Sequence, residues 1–123
     1  MIQLLLLLTL FPLILSIENS ESLNLFTKID QTAEYGNRLD FYKSVDQKFV
    51  FNDCGMLLNR DQFFEFLTIN KGKMDRKLES VEKTHTGFKI KVQEFGNNTV
   101  VYNTFRDKSK ALIVMSGVML CSI

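Results

Sequence analysis

The 123-residue sequence contains no tryptophan, one proline, one histidine and two cysteines. His85 is the only imidazole, so any histidine general base or metal site must use it. One histidine and two distant cysteines argue against a zinc site. Charge of neither sign predominates. Fifteen Lys and Arg stand against 14 Asp and Glu, a formal net charge of +1, which supplies no basic field to steer nucleic acid. No Ser-His-Asp spacing, phosphate-cradling loop or dinucleotide fingerprint is present, and nothing calls for a cofactor. The chain is instead rich in apolar residues: 46% are hydrophobic and 11 are phenylalanine. That is ample for one packed domain and far from a disordered composition.

The longest apolar runs lie at the two ends. IQLLLLLTLFPLILS closes at Ser16, a small residue suited to signal-peptidase cleavage, so residues 1–16 read as a secretory signal peptide. A membrane anchor is the alternative, but roughly 15 apolar residues fall short of the ~20 a spanning helix needs, and no basic flank follows. Removal leaves an extracellular chain of roughly 107 residues that is not expected on a membrane. Asn97-Asn98-Thr99 is a glycosylation sequon in an expected hairpin turn, which makes Asn97 the expected glycan site. Cys54 and Cys121 are an even pair that permits one disulfide in such a compartment; two independent thiols are the alternative.

Between the ends the pattern changes period. Leu25, Phe26, Ile29 and Ala33 fall at helical spacing, and Gly36 is a stop. Asn37 caps a second helix carrying Leu39, Phe41, Tyr42 and Val45, with Asp40 three residues on. Gln47 to Asp53 alternates as a strand, Asn-Asp-Cys-Gly reverses the chain, and Gly55 to Asn59 returns. Asn59 and Gln62 form a capping box for a third helix, with Phe63, Phe66 and Leu67 as its buried stripe and an end near Asn70. The charged stretch from Lys73 to Lys83 is ambiguous: Met74, Leu78 and Val81 suit one helical face, and an extended approach to the next strand is the preferred reading. Thr86 to Phe95 is a strand with Phe88, Ile90 and Val92 on one face and Lys89, Lys91 and Gln93 on the other. After Gly96-Asn97-Asn98 the strand Thr99 to Arg106 comes back. These elements make an α+β domain over residues 17–110. Residues 111–123, ALIVMSGVMLCSI, carry no charge, are too short to span a bilayer and lack clean alternation. A final buried strand is the plainest reading of this tail.

The helix pair, the FVFNDCG turn, the NRDQFFEFL helix and the FKIKVQEFGNNTVVYNTFRD hairpin resemble the nuclear transport factor 2-like superfamily. More narrowly, AEYGNRLDFYKSVDQKFVFNDCGMLLNRDQFFEFL is similar to the secreted nematode proteins of that kind. The resemblance runs from about Leu23 to Asp107. It implies a cone, in which a curved antiparallel sheet wraps the N-terminal helices, often around an apolar pocket. Relatives include isomerases, dehydratases and hydrolases beside many non-catalytic dimers, so the fold alone implies no activity. Members usually continue after the hairpin with two polar strands, often bearing tryptophan. The apolar, tryptophan-free tail departs from this, and the last strands of the cone are expected to be missing or replaced. Cys121 then lies outside the resemblance, which leaves Cys54 without a dependable partner.

His85 shares the parity of Lys89, Lys91 and Gln93 and is expected to point away from any pocket. Asp53 shares the parity of Phe49 and Phe51, so its carboxylate could enter the core, take a raised pKa and act as a general base. An Asx turn around Cys54-Gly55 is the competing reading. Tyr35, Tyr42 and Tyr102 could supply phenol hydrogen bonds, although buried tyrosines more often simply pack. The expected function is non-enzymatic binding of a small apolar ligand or a protein partner, with a homodimer through the outer sheet face as one form of it. The alternative is an isomerase, dehydratase or hydrolase using Asp53 with Tyr35 or Tyr42.

Overall fold

The computed structural model describes residues 19–71, 75–94 and 98–121. Helix α1, over 19–34, turns Leu25, Phe26, Ile29 and Ala33 inward and ends in a Schellman motif. There Asn37 N–H donates to Thr32 O at 2.8 Å and Gly36 holds φ +68°, a conformation that glycine adopts without Cβ strain. Asn37 caps α2, Arg38–Tyr42, accepting from the Asp40 N–H at 3.2 Å. This helix is shorter than its apolar face suggests. Only Phe41 is buried, Leu39 is exposed, and Val45 already belongs to the first strand.

Strand β1 (Val45–Asp53) and β2 (Met56–Asn59) form a hairpin whose two turn residues, Cys54 and Gly55, both have positive φ. That is the signature of a type I′ turn, whose twist matches the strands it joins. The Asx bond belongs to Asn52, whose side chain accepts from Gly55 N–H at 2.8 Å, and not to Asp53. Helix α3, Arg60–Ile69, carries the full capping box of Asn59 and Gln62 and buries Phe63, Phe64 and Leu67. Strands β3 (Lys77–Lys83), β4 (Phe88–Glu94), β5 (Asn98–Arg106) and β6 (Leu112–Leu120) are the remaining described elements. The strand β4 begins two residues later than its pattern implied, because Thr84 to Gly87 form a turn closed by Thr84 N–H donating to Gly87 O.

The six strands make one sheet in the order β2-β1-β6-β5-β4-β3. All neighbours are antiparallel except β1 and β6, which run parallel. The apolar tail, expected to leave the closing strands missing or replaced, supplies β6 near the middle of this sheet. The physical reason is pairing on both edges: β6 bonds β1 on one side and β5 on the other, a setting that favours uncharged, continuous hydrophobic runs. The count closes at six because the charged 77–83 segment is itself a strand. Register shifts at Val45/Val50, Leu78/Ser80 and Asn103/Thr104 bend the sheet.

Paired residues share a face, and one row crosses the whole concave side: Leu58, Phe51, Gly117, Tyr102, Ile90 and Val81. Gly117 has a specific task there. A Cβ on it would lie 2.8 Å from both the Phe51 and Tyr102 rings. Helix α3 lowers Phe63 onto this row, with ring centroids 4.8 Å from Phe49 and 5.0 Å from Phe51. Cys54 and Cys121 are joined in a disulfide with Cα atoms 5.7 Å apart. The parallel register of Asn52 with Val118 brings both ends to the same rim, which a resemblance stopping at Asp107 could not reveal. Closing a loop of 67 residues restricts the unfolded chain by on the order of 4 kcal/mol. Residues 1–16, read as a signal peptide, and Asn97, the expected glycan site, lie outside the described residues.

Candidate functional site

The polar interior of the cone is built by register. Lys77 pairs with Gln93, so Arg76, one residue earlier, faces Glu94 across the ladder on the concave side. Glu94 is completely buried, and the Arg76 side chain is 8% exposed. The Arg76 Nε group meets Glu94 Oε2, and Nη2 lies 3.3 Å from Asp30 Oδ1 on α1. The Tyr102 hydroxyl donates to Glu94 Oε1 at 2.7 Å. The guanidinium sits 4.7 Å from the centroid of Phe26 and 5.8 Å from that of Tyr102.

Burial sets the proton affinities here. Desolvation drives Asp30 up to about 6; Arg76 opposes the shift and Glu94 adds to it. Burial, reinforced by Glu94, holds the Tyr102 phenol well above its ordinary value. Burial acts against the charge on Arg76, but the surrounding Tyr102, Glu94 and Asp30 outweigh it and raise its pKa. Asp30 is the member that reaches solvent, with 32% of its side chain exposed. It could therefore exchange a proton near neutrality. Glu94 and Tyr102 are committed to each other.

The residues singled out from sequence are not brought together. Tyr35 stands exposed at the end of α1. Tyr42 donates to the Asp61 carboxylate at the surface, beneath the Arg60 guanidinium. Asp53 is half-buried at the far end of β1, in register with Met56. His85 is exposed in the β3–β4 turn. Among the described residues no group of three or more His, Cys, Asp or Glu is placed to hold a metal. Of the interior cluster only Tyr102 was singled out from sequence; Glu94 was missed, although parity could have found it. Glu94 follows Phe88, Ile90 and Val92 at the same parity, and Tyr102 follows Val100. Arg76 gave no signal, since only the β3–β4 register reveals where it points.

No protein-family model matches the sequence, and no curated protein matches it either. Solved structures do. A nuclear transport factor 2-like protein of unknown function from Silicibacter pomeroyi superposes with a TM-score of 0.63 at 15% identity, over 85% of this chain and 96% of that one. A proposed ketosteroid isomerase from Shewanella frigidimarina gives 0.58 at 8% identity, over 84% and 97%. A de novo designed protein with a curved β-sheet gives 0.62 at 11%, over 86% and 99%. The chain therefore has the nuclear transport factor 2-like fold, an α+β cone whose known forms range from proteins of unknown function to an isomerase-like one. At these identities the likeness fixes architecture alone.

Proposed function

We propose that the protein is a secreted, non-enzymatic binding domain that works through the outer face of its sheet, with a second copy of the chain as the partner. The observation that carries this reading is the contrast between the two faces. The concave interior is occupied by Phe51, Phe63 and Tyr102 and by the Arg76–Glu94–Asp30 ion cluster, which disfavours a small apolar ligand inside the cone. The outer face instead exposes Val50, Leu57, Val118 and Leu120, with Leu57 at 62% and Leu120 at 52%. Contiguous exposed apolar side chains of this kind mark association surfaces. Secretion is supported by the apolar leader of residues 1–16 and by the sequon at Asn97, whose glycan mass spectrometry of secreted protein would detect.

Sedimentation velocity on the mature protein tests the reading. A dimer is expected in the micromolar range, and Val118→Lys should return it to monomer with the fold intact. A wild-type chain that stays monomeric at the highest soluble concentration would sink it. The second reading, a small-molecule acid–base enzyme, now rests on Asp30 rather than Asp53, because Asp30 combines partial exposure with a pKa near 6. Loss of a measured activity on Asp30→Asn, with association unchanged, would favour it.

A further inference from the structure

We propose that a groove beside the β1 bulge binds a small amphiphile with an anionic headgroup. Between Val45 and Val50, β1 bows away from β6: four residues on β1 stand opposite Met115 alone, while Ser44 O still accepts from Val114 N–H at 2.9 Å. The opening is a groove of about 530 Å³. That lies within the range of small-molecule sites.

The floor and the rim differ in chemistry. Phe105 and the buried Ile113 give an apolar floor, backed by the fully buried Val45 of the main core. Ile113 points to the outer side of the sheet and does not join the main core, so its burial is local to this groove. Lys28 and Arg60 stand at the rim. Arg60 is held in place: its guanidinium stacks 3.6 Å from the centroid of Tyr42, and Nη1 donates to Val45 O at 3.4 Å. Neither cation makes an ion pair with an acid among the described residues.

The acids of the same groove, Asp46 and Asp107, keep their charge but are turned onto backbone N–H groups of their own segments. Asp107 Oδ1 accepts from the N–H groups of Ser109 and Ala111 and from the Ser109 hydroxyl, and these bonds lower its pKa. Asp46 Oδ2 accepts from Lys48 N–H at 3.0 Å. The third cation, Lys43, is paired with Asp40 at 3.0 Å. An apolar floor beneath Lys28 and the pre-oriented guanidinium fork of Arg60, neither within ion-pair distance of an acid among the described residues, suits an anion with an apolar tail. Carboxylate and phosphate heads share the chemistry.

The site lies on the same outer side as the proposed association surface but is centred apart from it. Ile113 lies five residues from Val118 along β6, roughly 17 Å at strand rise.

Isothermal titration of the mature protein with decanoate, decyl phosphate and decanol, below their aggregation thresholds, tests the inference. One site per chain is expected for both anions, with the headgroup arms reporting which is preferred. Decanol should bind at least about tenfold more weakly. Arg60→Gln and the exposed Lys28→Gln should each weaken the anions by about three- to tenfold and leave decanol unchanged. Circular dichroism should show both variants folded, and Lys28→Gln keeps the test alive if Arg60→Gln does not fold. Equal affinity for decanol and decanoate, no effect of Lys28→Gln, or no binding at about 1 mM would each overturn it. Sedimentation of the same variants separates this result from the association proposal, which they should leave intact.

Discussion

Residues one step apart on the same strands face opposite fates in this sheet. On the concave side, Phe51, Gly117, Tyr102 and Ile90 form a continuous buried row, and the charges they meet are matched by charges. On the convex side the neighbouring row runs Leu57, Asn52, Val118, Val101, Lys91 and Ser80, apolar towards β2 and polar towards β3. The inner face holds the stability, and its occupants are the protein's own side chains. The outer face contributes little to folding and leaves apolar area open to a partner.

Removing one partner of a buried ion pair breaks the inner face most directly. Arg76→Met should cost about 3–5 kcal/mol in urea unfolding, because Glu94 is left charged and unpaired. Arg76→Met with Glu94→Gln should recover most of that loss, since glutamine still accepts from the Tyr102 hydroxyl without a charge. A smaller effect, about 1–3 kcal/mol, is expected for Gly117→Ala, whose methyl meets two rings at once. Thermal melts would read it, and an unchanged midpoint would mean that the rings separate freely.

Asp30 gives a weaker and pH-dependent effect. Its folded pKa, about 6, lies above the unfolded value near 3.8, so its contribution to stability is full below about pH 4 and is lost as pH rises through 6. Because about a third of the side chain is exposed, the change is discounted to the order of 1–2 kcal/mol. Unfolding at pH 4, 5, 6 and 7 should show Asp30→Asn gaining on the wild type as pH rises. A constant difference across that series would contradict the burial of Asp30. Smallest on stability is Val118→Lys, within about 0.5 kcal/mol, although its effect on association should be the largest of all.

Local chemistry was legible in the sequence; register was not. The caps at Asn37 and Asn59 and the stop at Gly36 depend on neighbours within four residues, so their patterns carried over directly. The alternation of Phe88, Ile90 and Val92 likewise located β4. Asp53 illustrates the limit. Its parity matched Phe49 and Phe51, but parity does not report how far a hairpin tip lies from the core. Arg76 illustrates it from the other side, as an arginine in a charged segment whose interior position follows only from pairing with β4. The tail was legible only as a candidate strand, and the expectation that it left the last strands missing or replaced was wrong. Its place between β1 and β5, and therefore the Cys54–Cys121 connection, depends on a parallel pairing across some 70 residues that no local pattern encodes.

That placement has a consequence for synthesis. Strand β6 follows the other five described strands in the chain yet is one of the two at the centre of the sheet, so until it is made the nascent chain holds two separate pieces, β1–β2 and β3–β4–β5, each with an open edge. Neither edge is satisfied until Leu112–Leu120 emerge, and the longest-range pairing among the described strands must wait for them. A ribosome stalled before residue 112 would therefore present a split sheet with two complementary, unpaired strands, and the insertion of β6 is the step that turns two fragments into one domain.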